Sequence, residues 1–362
     1  MRPTPTARLH KAYVIWLGLV WAGLCLGVLA INSVVDPLWY FQGNLITQHN
    51  GGFNERESKL NLFLQDPDQY DCLIFGSSRA TGLPASALKP LKCFNLSFAS
   101  GQPKEFIAYA KYLRARGFRP EYIVIGVDGF IFQTEGRDPV TIPSHVMENR
   151  DPPSPLKAYL SIGSLNMTWN ELVKMEQSNN REYYDSRFEK VPGKNMPVFN
   201  PMKTLEVVGL RRADAEARRK SPFSSHSARL YQELARVFPG SKTLAYVPPV
   251  SAWHVAEMQQ NGVLDGYLDA LYTTANLFPV FLDFSIPSPI TWNPTNTYDG
   301  SHFYPWVNRS IAKALIAREP MGWGITPATM SLDAYRARYL AALEQFRQST
   351  ATGQSNRNSD SH

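Results

Sequence analysis

Asp71-Cys-Leu-Ile-Phe-Gly-Ser-Ser-Arg-Ala80 decides how the rest of the chain is read. Cys72 to Phe75 is a short apolar run of the kind that forms a strand buried on both faces of a parallel sheet. Gly76 stops it, since glycine takes up the backbone angles of a tight turn. Ser77 and Ser78 follow, ahead of a segment able to start a helix. A hydroxyl just past the carboxyl end of a strand sits where open α/β sheets place their sites. Serine also caps helices often, so this stretch alone leaves nucleophile and cap both open.

Working outward, Cys93-Phe-Asn-Leu-Ser-Phe98 is a second apolar stretch, ended by Ser100-Gly101. Phe106, Ala110 and Leu113 share one face of a predicted helix over Lys104–Arg116, which Gly117 terminates. Tyr122-Ile-Val-Ile125 is the third strand, closed by Gly126-Val127-Asp128-Gly129. Strand, turn, helix and strand in this order predict an α/β fold, with a central parallel sheet between crossover helices in three layers. The rhythm breaks over residues 135–225, where prolines 139, 143, 152, 153 and 155 mark a long loop. That region is read as an insertion or lid. Regular structure returns with a helix near Ser227–Phe238, a strand Thr243–Val247 and a helix over roughly His254–Tyr272. A strand over Phe278–Asp283, a helix from Trp306 and an amphipathic helix near Ser331–Arg347 complete the domain, taken as residues 71–348. Residues 349–362, rich in Ser, Asn, Gln and Gly, are expected to be a disordered tail.

Residues 12–35 carry no charge and consist mostly of Leu, Val, Ile, Ala, Gly and Trp. A helix of that length spans a bilayer core of about 30 Å. Arg2, Arg8 and Lys11 precede it, so residues 1–11 are expected in the cytoplasm and the body of the protein outside it. The rival is a cleaved signal peptide, for which Val28-Leu-Ala30 offers a loose cleavage site. Residues 36–70 are read as a juxtamembrane link.

The 362 residues, 44% of them hydrophobic and 19% charged, describe a folding chain. A net charge of +6 is mild, and its positive residues are scattered, so no nucleic-acid partner is expected. One cluster, Arg211, Arg212, Arg218, Arg219 and Lys220, could meet phosphate or anionic lipid heads, or form a solvated helix face. No zinc spacing, P-loop or dinucleotide fingerprint occurs, and no cofactor or metal is expected. Of three cysteines, Cys25 lies inside the apolar helix. Cys72 and Cys93 lie in predicted strands, and both a disulfide suited to an oxidising compartment and two buried thiols remain open.

The second chemical stretch is Asp299-Gly-Ser-His302. The spacing sets a carboxylate about one helical turn before an imidazole. Asp299 can then accept from one ring nitrogen and turn the other outward. An oriented histidine is what a serine needs as general base, because a free hydroxyl is a poor nucleophile near neutral pH. Asp299 could equally cap the following helix. Nearby, His254 is read as a helix-start residue. Trp292 and Tyr298 are read as either packing against the last helix or lining a subsite.

Taken together, Gly76-Ser77-Ser78, Gly101, Gly126-Val127-Asp128 and Asp299-x-x-His302 resemble the blocks of the SGNH (GDSL-type) hydrolase superfamily, in the family order. The resemblance covers residues 70–130 and 240–315. It implies Ser78 as nucleophile, with Ser77 in place of the family's Asp. It also implies His302 as base, Asp299 as its orienting acid, and oxyanion donors from Ser78 N–H and Gly101. Asp128 stands where the family has an Asn that donates to the oxyanion, and a carboxylate there would repel the developing charge. A protonated Asp128, an Asp128 that orients another group, and an oxyanion hole built from backbone N–H groups are all open. A Gly-Ser-Ser block behind one N-terminal anchor is similar to DltD-type proteins and to exopolysaccharide O-acetyltransferases. That implies acyl chemistry on a cell-envelope polysaccharide or glycolipid, with a membrane acyl-donor partner possible. An α/β-hydrolase elbow is disfavoured, because that fold needs several strands before its serine. A protein that keeps the fold and binds glycan without catalysis is the alternative.

Overall fold

Along the central strands, odd- and even-numbered residues face opposite ways, and both sides are apolar. In the computed structural model of the protein, residues 5–52, 54–133, 140–173, 182–201 and 221–359 are described. Five parallel strands form the sheet: β1 (Cys72–Phe75), β2 (Cys93–Asn95), β3 (Tyr122–Gly126), β6 (Lys242–Val247) and β7 (Phe281–Asp283). Their order is β2-β1-β3-β6-β7. A separate two-stranded hairpin in the insertion pairs β4 (Tyr183–Tyr184) with β5 (Lys190–Val191). Leu73, Phe75, Ile123, Ile125, Ala245, Val247 and Phe281 point into one core, with the helices Pro103–Ala115, Ala228–Val237, Leu264–Ala275 and Leu332–Ser359. Cys72, Ile74, Val124, Leu244, Tyr246 and Leu282 point into the other, covered by the helix Pro305–Ala317. Burial on both faces explains why these strands read as continuous apolar runs. The three-layer α/β architecture is as the sequence predicts.

Strand order reverses at β1, whose neighbours β2 and β3 follow it on opposite sides. The crevice between the carboxyl ends of β1 and β3 is therefore the switch point, where such sheets bind ligands. Gly76-Ser77-Ser78 leaves one of these strands and Val127-Asp128 the other.

Several boundaries differ from the sequence reading. Residues 36–70 are not merely a link. Their helix Glu55–Gln65 buries Leu60 and Phe63 in the first core. Ser58, Asn61 and Gln65 of that helix donate to the carbonyls of Pro37, Leu38 and Trp39. The predicted helix over His254–Tyr272 is two, Ala252–Gln260 and Leu264–Ala275, separated at Asn261-Gly262, where Gly262 has φ +69°. The last helix runs on through the expected tail to Ser359. The Arg211–Lys220 cluster lies outside the described residues.

Cys72 and Cys93 are joined in a disulfide, directly opposite each other in the β1–β2 register. At the N-terminus a helix spans Pro5–Val35, and Leu9–Val35 within it contains an apolar stretch of 18 residues, none of them buried, with mean hydropathy 2.4. It is long enough to cross a membrane, and a signal sequence would pass the same test. Together the helix and the disulfide indicate a secreted or membrane-anchored protein. Asn32 and Asp36 tie the end of this helix to the insertion helix Pro155–Tyr159. Asn32 Nδ2 donates to the Tyr159 carbonyl at 2.7 Å, and the Tyr159 hydroxyl donates to Asp36.

Candidate active site

Ser77 and Ser78 stand in different surroundings. Ser77 is buried and caps the short helix Ser78–Thr81, its hydroxyl accepting from Arg79 N–H. Ser78, the first residue of that helix, points its Oγ toward His302 Nε2, 2.8 Å away. Three small residues set this position. A Cβ on Gly76 would strike Ala80 of this short helix, and one on Gly126 would lie 2.9 Å from the same Ala80 Cβ. The helix therefore settles directly on the ends of β1 and β3.

The Asp299–His302 segment is not helical, as its spacing first suggests. It is a tight turn ahead of the Pro305 helix. Asp299 Oδ1 accepts the amides of Ser301 (2.8 Å) and His302 (2.7 Å), and Gly300 takes φ +80°. Thr297 Oγ1 closes the turn, accepting from Gly300 N–H and donating to the His302 carbonyl at 2.6 Å. Asp299 Oδ2 is thereby left to meet His302 Nδ1 at 2.6 Å. Asp299, His302 and Ser78 form one hydrogen-bonded chain. Burial alone would raise the Asp299 carboxyl, but its hydrogen bond to His302, the imidazole's charge and the two amides outweigh this. They hold it at about 2.

Two neighbours support this chain: Tyr298, which the sequence left between packing and a subsite, and Glu182, which it did not single out. The Tyr298 ring stacks on the His302 ring, and its hydroxyl donates to Glu182, beside the insertion hairpin. Glu182 also pairs with Lys190 of β5 at 2.6 Å. Burial and the Glu182 carboxylate both raise the Tyr298 phenol, which keeps it a neutral donor. An aromatic residue one position before Asp299 was a visible signal. Its partner Glu182, more than a hundred residues away, was not. Trp292 stacks against Phe346 of the last helix and lies in the packing. His254 sits in the first turn of its helix, its Nδ1 2.8 Å from Ser251 Oγ.

Gly101 and Asp128 both have their polar groups engaged. Gly101 N–H donates to the Phe98 carbonyl at 3.0 Å, and a Cβ on Gly101 would lie 2.8 Å from the Phe106 ring. Its glycine thus answers a packing need, and its amide is spent in the turn. Asp128 is almost fully buried. Its Oδ2 accepts Ser77 N–H at 3.3 Å, and its Oδ1 lies 3.5 Å from the Arg79 guanidinium. Of the readings left open for Asp128, the geometry matches the one in which it orients other groups. Ser78 N–H, at the first helical position, has no intrahelical acceptor.

Arg79 opens onto a cavity of about 170 Å³ that also reaches Ser301 and His254. Phe130, Phe223, Val250, Met258 and Tyr267 make its walls largely apolar. Among the described residues, no group of three or more His, Cys, Asp or Glu side chains is placed to hold a metal ion. The arrangement sets an imidazole on a hydroxyl, with a guanidinium and an apolar recess close by. No protein-family model matches this chain, and no curated protein matches it either.

Proposed function

We propose that this protein is a membrane-anchored, extracytoplasmic serine esterase or O-acyltransferase of the SGNH type, acting on acyl groups of a cell-envelope polysaccharide or glycolipid. The observation that carries the reading is the unbroken chain Asp299 Oδ2–His302 Nδ1, His302 Nε2–Ser78 Oγ. In the reaction, His302 Nε2 takes the Ser78 proton as Oγ bonds to the acyl carbonyl carbon. The same proton passes to the leaving oxygen as the tetrahedral adduct collapses to an acyl-serine. Water or a sugar hydroxyl then repeats the cycle in reverse roles, giving hydrolysis or transfer. Ser78 N–H donates to the oxyanion. Arg79, held by Asp128, supplies the positive charge in place of the family's Asn. The apolar recess suits the acyl group. Anchoring keeps the site close to an acyl donor arriving at or through the membrane, which favours transfer.

The test is labelling of the full-length protein with a fluorophosphonate, comparing wild type with Ser78→Ala and Ser77→Ala. Labelling abolished only in Ser78→Ala supports the reading. A folded wild type that takes no label overturns it. That outcome favours a non-catalytic glycan-binding protein, a reading with its own support in the Gly101 amide and Asp128 carboxylate being engaged elsewhere.

A further inference from the structure

The insertion helix Ile162–Val173 is inside out. It buries Ser164 and Thr168, while Ile162 is 87% exposed, Trp169 65% and Val173 56%. Those three, with Leu165, fall on one stripe of the helix, at spacings of three, four and four residues. A helix on a water-facing surface does the reverse. The preceding helix, Pro155–Tyr159, leaves Leu156 and the following Leu160 exposed as well.

The location of this stripe identifies what covers it. Both insertion helices pack against the last turns of the N-terminal helix, where Asn32 and Asp36 bond to Tyr159. At the same helix end, the loop carrying Phe41, Leu45 and Ile46 is also exposed, the Phe41 ring lying 6.0 Å from that of Tyr159 and Leu45 N–H donating to the Val34 carbonyl at 3.0 Å. The 27 residues Leu9–Val35 extend about 40 Å, against a bilayer core of about 30 Å. Residues fastened to its end therefore stand at headgroup depth, where tryptophan and amphipathic helices settle.

We propose that residues 155–173, together with Phe41, Leu45 and Ile46, form a second membrane contact: a monotopic surface that lies in the outer leaflet around the exit of the anchor. The inference rests on the reading of Leu9–Val35 as a retained membrane span. It gives the domain one fixed face toward the bilayer, in place of free tumbling on a tether. The surface would take a lipid bilayer as its ligand through apolar burial.

The experiment uses the full chain with Cys25→Ser, reconstituted in phosphatidylcholine nanodiscs. Nitroxide labels are placed singly at Ile162→Cys, Trp169→Cys, Leu19→Cys and Lys313→Cys. Power saturation with oxygen and with a water-soluble nickel chelate reads the depth of each. The expected result is an oxygen-to-nickel accessibility ratio at 162 and 169 several-fold above that at the aqueous control 313, and on the side of the anchor control 19. Ratios at 162 and 169 equal to that at 313, with 19 reading lipid, overturn the surface contact and leave the anchor standing. A chain shortened at its N-terminus, or an aqueous ratio at 19, overturns both. Sites 162 and 169 shielded from both reagents, with spin–spin broadening, also overturn the proposal, because a second copy of the chain then covers the stripe.

Discussion

The ring of Tyr298 lies against that of His302 with centroids 5.8 Å apart and planes 6° from parallel. Asp299 fixes His302 at Nδ1, and Tyr298 fixes its face, so the imidazole has little freedom to turn away from Ser78. Because Tyr298 is held in turn by Glu182, the insertion takes part in fixing the imidazole. Tyr298→Ala should lower the rate constant of fluorophosphonate labelling by about 10–100-fold, as expected for a base allowed to drift by about 1 Å. Tyr298→Phe keeps the stack and loses only the bond to Glu182, so its loss should be smaller. Equal losses in the two variants would show that the ring contact contributes nothing.

Asp299→Asn preserves the size of the side chain and removes the charge that selects the tautomer of His302. Labelling should slow by about 1,000–10,000-fold. A carboxyl held at about 2 also contributes stability that is fully present above its ordinary value of 3.8 and is lost as the pH falls toward 2. Thermal melts between pH 5 and 2 should therefore fall less steeply in Asp299→Asn than in wild type.

Arg79 and Asp128 form a buried to half-buried pair at the switch point. Arg79→Met should cut turnover of an activated ester by about 100–1,000-fold, the usual cost of losing one oxyanion-stabilising group. Asp128→Asn can still accept Ser77 N–H but no longer holds the guanidinium by charge. It should cost about 1–2 kcal/mol in urea unfolding and a smaller share of the rate. Turnover faster in Asp128→Asn than in wild type would mean that Arg79 takes no part and that the amide is the better donor.

Lys59 is completely buried. Its Nζ donates to the Ser97 carbonyl at 2.6 Å and faces the rings of Tyr184 and Phe188. Burial lowers its amine to about 7, the nearby Glu55 carboxylate opposing this and Lys190 adding to it. Between about pH 7 and 10.5 the unfolded chain binds a proton that the folded one lacks, so stability should rise with pH across that window. The slope from one such group is at most about 1.4 kcal/mol per pH unit. Denaturant unfolding at pH 7, 8 and 9 should show this rise in wild type and a flatter profile in Lys59→Met.

Removing the Cys72–Cys93 bridge with paired alanines should cost about 3 kcal/mol, the chain entropy restored to a loop of this size. Reductant should then lower the melting temperature of wild type but leave that of the variant unchanged.

The sheet was largely legible because its strands are buried on both sides. Cys72–Phe75 and Tyr122–Ile125 could be read from apolar runs and a following glycine, and so could the two ends of the hydrogen-bonded chain, Ser78 and Asp-x-x-His. Choosing Ser78 over Ser77 needed the family resemblance, since both hydroxyls follow the same strand. What could not be read depended on contacts distant in sequence. The polar appearance of Glu55–Gln65 concealed a core helix, because Leu60 and Phe63 reach the core while Ser58, Lys59, Asn61 and Gln65 satisfy backbone carbonyls. The amide of Gly101 could be assigned to the oxyanion only while its turn with Phe98 was unseen. Asp128 looked like a defect until Arg79, one residue past Ser78, proved to be its partner.

The contact of Ala80 with Gly76 and Gly126 leaves no side-chain torsion beneath Ser78 that could absorb a misfit. The joint has no compliance, so the alignment of serine and imidazole inherits the spacing of β1 and β3. A strain that spreads those two strands by a few tenths of an ångström, wherever it is applied, reaches the hydroxyl undamped. The placement of the Ser78 hydroxyl is in this sense a mechanical property of the sheet.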